Sequence, residues 1–241
     1  MGPPQSSAEK WLQVLTSVLT NATMLPTFFL VLRRQRMDAA VVGLLTMSSS
    51  TIYHTLDTLG GTLLSMDAVQ WHKLDNICAM INITQIIVLF MQNAHPSVDQ
   101  AFTWAYTLLI LVCMEIGPWN PICTLIPIAV PLLVLFGKLT WQRRWADVNA
   151  VQVRVALGAM AAALVCFSFG LDDENDYLRL WHGMWHVFSG VFSYFSVLSN
   201  SKFDKRRMRL RSEVFGEVPW SATTPATLLA FVTGATQSKA S

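Results

Sequence analysis

Charge is the scarcest property of this sequence. Only 13% of its 241 residues are charged and 53% are hydrophobic, whereas a soluble globular domain carries about 25% charged residues. With a mean hydropathy of +0.42, this shortage sets aside an ordinary soluble domain and points to a polytopic membrane protein. The chain also lacks the basic, aromatic-interleaved face that nucleic acid needs, so nucleic acid is not an expected partner. It has no GxSxG elbow, no HExxH pair and no phosphate-cradling glycine loop, which removes the common soluble hydrolase and nucleotide-binding classes. It has no repeat at solenoid periods. Its four cysteines, Cys78, Cys113, Cys123 and Cys166, form no CxxC pair and lie in or beside apolar runs. They read as small buried hydrophobes, with a Cys113–Cys123 disulfide left open.

What is present is a series of apolar runs. Seven stretches approach the ~20 residues that a spanning helix needs: 11–32, 39–59, 74–91, 102–116, 122–136, 151–169 and 180–198. Pro26 predicts a kink in the first, and Pro127 with Pro131 predict a bent or broken fifth. The domain expectation is a short N-terminus at 1–10, a seven-transmembrane helix bundle at 11–200 and a basic, flexible tail at 201–241. No cleavable signal peptide is expected ahead of the first helix. Residues 1–6 match a loose myristoylation pattern. The sequons at Asn21 and Asn82 fall inside spans.

Orientation follows from the basic residues. With seven helices, fourteen of the seventeen Lys and Arg fall on one side, leaving Lys10, Lys73 and Arg179 opposite. The positive-inside rule then predicts an all-α integral membrane protein with its N-terminus outside and its C-terminus cytosolic. The acidic run 172–176 falls outside, in agreement. Six helices would break the pattern. The six basic residues that open the tail serve as an orientation signal or attract anionic lipid.

Polar residues inside the spans now acquire a depth. His182 and His186 are four residues apart and share one helix face. His54 and Ser50 share a face near the outer end of the second span, and Asp75 opens the third. All five fall in one layer near the non-cytosolic leaflet. Three imidazoles with a fourth position open describe a catalytic zinc site. Asp75 would hold or deprotonate a water, or orient a ligand imidazole. Ser50 would hydrogen-bond the water or an oxyanion. Asp57, one turn beyond His54, is the alternative carboxylate. Helix–helix hydrogen bonding or a proton relay are the competing accounts of such histidines. His72 is expected in a loop, His95 on the cytosolic side, and Glu115 in a structural role.

Ser50-Thr51-Ile52-Tyr53-His54, then Asp75, then His182-Gly183-Met184-Trp185-His186 resemble the signatures of the CREST superfamily of seven-helix membrane proteins. Trp119-Asn120 and Trp141-Gln142-Arg143 extend the resemblance to the branch containing myomaker and the GPI-specific phospholipase A2. The resemblance covers about residues 25–200. It implies zinc held by His54, His182 and His186, with Ser50 and Asp75 near the bound water. The expected function is a zinc-dependent intramembrane hydrolase of a lipid ester or amide, in the plasma membrane rather than an internal one. The alternatives are a myomaker-like fusion or adhesion factor with a structural metal, and a receptor-like signalling protein.

Overall fold

The computed structural model describes residues 6–93, 95–142, 148–171, 176, 178–201 and 203. Nearly all of the expected tail, the myristoylation pattern, Arg143, Arg144 and most of the acidic run lie outside these residues. Eight α-helices occur among them: α1 Ser7–Thr20, α2 Leu25–Arg33, α3 Met37–Leu59, α4 Ala68–Met91, α5 Pro96–Ile116, α6 Pro121–Gln142, α7 Ala150–Gly170 and α8 Leu180–Ser199. A 3₁₀ turn, Asn21–Met24, joins α1 to α2, so the two form a single rod.

Local chemistry sets the helix ends. Ser6 accepts from the Glu9 amide while the Glu9 carboxylate accepts from the Ser6 amide at 2.7 Å, a capping box on α1. Asp67 and Gln70 make the same reciprocal pair on α4. These pairs satisfy amides that the first helical turn leaves without partners. Asn149 caps α7. At α8 the buried Asp176 carboxylate accepts from the Trp181 and His182 amides, both at 2.9 Å. Gly60 terminates α3 at φ +79°, a conformation that costs glycine little.

Five helical stretches are long and apolar enough to cross a membrane: Ser7–Arg33, Ala68–Met91, Ser97–Ile116, Ile122–Gln142 and Ala150–Gly170. This is the pattern of an integral membrane protein. Leucines and phenylalanines on α5, α6 and α7, among them Leu108, Leu133 and Leu157, are left exposed on the outside of the bundle, where lipid accepts them without cost. Helices α3 and α8 have 23 and 20 residues but fall outside that five. They are less apolar because they carry the polar layer: Thr46, Ser49, Ser50 and His54 on one, His186, Ser193 and Ser196 on the other, all buried.

Two expectations are corrected. Helix α4 begins at Ala68, so His72 is helical and Asp75 sits in the third turn rather than the first. Helix α6 runs unbroken past Pro127 and Pro131, both among the most deeply buried residues. Packing against neighbours compensates the backbone bonds that proline removes. Cys113 and Cys123 pack as the small buried hydrophobes expected, in one core with Met80, Ile110 and Met114, and the disulfide left open does not join them. Pro26, where a kink is expected, lies in the first turn of α2, just after the 3₁₀ turn.

Between helices in lipid, close packing and hydrogen bonds matter more than water exclusion. The buried face of α7, Ala156, Ala159, Ala163, Cys166 and Gly170, is small throughout. At its end, a Cβ on Gly170 would lie 3.0 Å from the His182 amide nitrogen of α8. On α8 the buried positions Gly183, His186, Gly190 and Ser193 alternate spacings of three and four residues. Gly183 meets Thr16, and Gly190 meets the Thr23 backbone so closely that a Cβ would stand 2.7 Å from its carbonyl oxygen. Val31, Ala40, Leu89 and Val197 then join α2, α3, α4 and α8 lower down. At that end Arg34 donates to the Val197 carbonyl at 2.6 Å, Gln92 donates to Asn200 at 2.8 Å, and Lys138 donates to Asn93.

Candidate metal centre

The opposite end of the bundle gathers His54 from α3 with His182 and His186 from α8. Each offers one ring nitrogen, and the three nitrogens lie within 4.8 Å of one another. The His54 and His182 Nε2 atoms are 3.1 Å apart. The ring centroids form a near-regular triangle of 4.6, 4.8 and 5.1 Å, with interplanar angles of 71°, 74° and 52°. Rings set edge-on in this way direct nitrogens towards a shared point instead of stacking. Tetrahedral ligation at ~2.0–2.1 Å requires nitrogens about 3.3 Å apart, so the closest pair is already at ligand spacing.

The surroundings fit a metal-binding role. His186 is buried, and its Nδ1 lies 3.2 Å from the Ser17 carbonyl and 3.3 Å from Thr20 Oγ1. A carbonyl can only accept, so Nδ1 carries the proton and Nε2 keeps its lone pair for a ligand role. Metal-binding histidines are oriented by such carbonyl partners. The glycines on either side make the contact possible: Gly183 and Gly190 let α8 approach α1 and the 3₁₀ turn closely enough for His186 to reach Ser17. Thr23 adds a hydrogen bond to the His186 carbonyl at 3.1 Å. His182 is held through its amide by Asp176.

Asp75 approaches from α4. The Ser49 and Ser50 hydroxyls stand beside its carboxyl; Ser49 donates to the Thr46 carbonyl at 3.2 Å, and Asn21 Nδ2 donates to Ser50 Oγ at 3.1 Å. Ser50 accepts from Asn21, which leaves its own hydroxyl hydrogen available to the neighbouring carboxyl. Asp75, Ser50 and His186 line one cavity of about 80 Å³, together with Asn21, Asn82 and Ser189. Asp57 is placed differently: it is exposed and pairs with Arg179 at 3.3 Å. Glu115 pairs with Lys73 at 2.7 Å across the α4–α5 ends.

Sequence reading missed several neighbours. His72 stacks on Tyr53 at 4.2 Å and 4°, and Trp119 of the α5–α6 turn lies against it at 4.6 Å, tilted by 40°. Asn21, Ser49, Ser17 and Thr20 support the histidines and Asp75. Asn21 had a signal, a polar amide inside an apolar run, but only the rotation of the rod reveals which way it points.

A comparison with curated proteins finds no match. A family described as "Protein of unknown function (DUF3522)" matches residues 9–187. That span begins in α1, ends one residue after His186, and contains all three histidines and Asp75. It covers well over half of the sequence, and the chain belongs to the DUF3522 family.

Proposed function

We propose that this protein is a zinc-dependent intramembrane hydrolase acting on a lipid ester or amide, related to the CREST superfamily its motifs resemble. The observation that carries the reading is the convergence of His54, His182 and His186 beside a cavity that holds Asp75. Zinc held by the three histidines would supply a Lewis acid and a water whose pKa is lowered to about 7. Asp75, flanked by Ser49 and Ser50, would take a proton from the attacking water. The water oxygen bonds to the acyl carbon, the C–O or C–N bond breaks, and the leaving group receives that proton. Ser50 orients Asp75 in this scheme, with its hydroxyl oxygen held by the Asn21 amide.

The same proposal includes seven membrane crossings, with α1 and α2 counted as one and α3 and α8 included. It places the N-terminus outside, the C-terminus in the cytosol and the site near the non-cytosolic face of the plasma membrane. The basic residues at the end of the bundle remote from the histidines support that orientation.

A second reading has its own support. His186 is wedged against α1 while His54 belongs to α3, so a metal here would also staple three helices together, as a fusion or adhesion factor could require. Purified protein with His54→Ala, in vesicles of mixed phospholipid and ceramide, separates the two. Loss of both zinc and lipid turnover from a folded variant is the expected result. Unchanged turnover without zinc would remove the hydrolase assignment, and absence of turnover in the zinc-loaded native protein would favour the staple.

A further inference from the structure

A second cavity, of about 30 Å³, lies below the site, between α2, α3, α4 and α8. It shares Met24, Met47 and Asn82 with the site cavity, so the two abut through common walls. From there it extends to Arg36 at the α3 N-terminus, 18 residues before His54, or about 27 Å along the helix. The side chain of Gln85 is 7% exposed, faces this space, and its Oε1 has no hydrogen-bond partner; nor has Thr27 Oγ1 on the facing wall. Ser189 Oγ is in the same condition in the site cavity. Between these groups Asn82 donates to Thr46 at 3.4 Å.

Buried oxygens without partners are costly and are normally satisfied by protein or ordered water. A polar-lined space must exceed ~10–15 Å³ to hold a water. The lower cavity, at about 30 Å³, is therefore large enough for a water, and the site cavity, at about 80 Å³, for more than one. An alkyl chain in the same space would leave Gln85 and Thr27 without partners.

We infer that ordered water fills both cavities and forms a hydrated path from the histidine site through Asn82 and Gln85 towards Arg36. Water and protons then reach the site from the end of the bundle remote from the histidines. The path does not depend on the hydrolase reading.

Hydroxyl radicals generated by X-ray pulses arise at bound waters and oxidise methionines beside them, so Met24 and Met47 are natural reporters. The full-length protein in nanodiscs is irradiated and its peptides are quantified by mass spectrometry. Oxidation of Met24 and Met47 at least fivefold faster than of the buried Met80 and Met114 is expected. In Thr27→Val/Gln85→Leu, which keeps side-chain size, the Met24 and Met47 rates should fall at least threefold while Met80 stays constant. Equal rates at all four methionines, or rates unchanged in the variant, would overturn the path. So would lipid that remains bound to the delipidated protein and is held more tightly in the variant, since an alkyl chain would then occupy the space. Retained size-exclusion behaviour of the variant shows that it is folded.

Discussion

The Nδ1 of His186 faces the Ser17 carbonyl oxygen at 3.2 Å, and this single contact fixes which nitrogen of His186 is available to a metal. It also joins α8 to α1 at the level where α3 supplies His54. Substituting His186 with Ala removes a ligand and this tie together. Zinc affinity should fall by more than the ~10–100-fold seen for losing a partner of a ligand. Metal analysis after gel filtration reads this directly. Equal zinc content in variant and native protein would remove His186 from the site.

Gly190→Ala tests how the ligand is placed. The new Cβ would stand 2.6 Å from Thr23 Oγ1 and 2.7 Å from its carbonyl oxygen, so backbone must move. We expect a loss of about 1–3 kcal/mol, seen as a lower Tm in detergent, with weakened zinc binding. Gly158→Ala is the control. It has open space around its Cβ and should gain up to about 1 kcal/mol from helix propensity.

Asp75→Asn keeps shape and removes the proton acceptor. Under the hydrolase proposal kcat falls by about 10²–10⁴ while zinc remains bound. Asp57→Asn should leave the rate within about threefold, because it breaks only an exposed ion pair with Arg179 of the kind worth at most about 1 kcal/mol. If the two variants lost rate equally, the placement of Asp75 would have no catalytic meaning.

Asp176→Ala removes the acceptor of the Trp181 and His182 amides. Loss of a helix cap costs about 0.5–2 kcal/mol. Here it also frees the first turn of α8, which bears His182. A Tm decrease accompanied by weaker zinc binding is expected, and a Tm decrease alone would show that the cap does not position the ligand.

Chelation should also destabilise the protein. Free zinc at about 100 times its Kd contributes about 2.7 kcal/mol to the folded state. Thermal melting with and without a zinc chelator measures this, and an unchanged Tm would mean that no metal bridges α3 and α8.

The helices and the histidine cluster were legible to different degrees. The apolar runs located the helical stretches, and basic residues sorted their ends well enough to bring His54, His182 and His186 to one level. The start of α4 was missed because 68–73 mix polar and apolar residues, although Asp67 and Gln70 spelled a capping box. Proline content exaggerated the break in α6, since hydropathy does not register neighbouring helices. Asn21, Ser17 and Ser49 were hidden for a geometric reason: a polar residue in an apolar run declares that it is buried but not which helix it faces. His72 acquires its stacking partners only when Tyr53 and Trp119, from α3 and the α5–α6 turn, are brought together.

The four-residue 3₁₀ turn between α1 and α2 works as a phase adjuster. An uninterrupted α-helix from Asn21 to Val31 would advance about 1000°, leaving the two side chains some 80° apart. Tightening Asn21–Met24 to three residues per turn adds back about 80°. Val31 thereby returns to the face that carries Ser17 and Asn21, and all three are buried. The rod can hold His186 at one end and the α2–α3–α4–α8 core at the other only because its winding changes in between. Straightening the turn would swing one of those two contacts towards lipid.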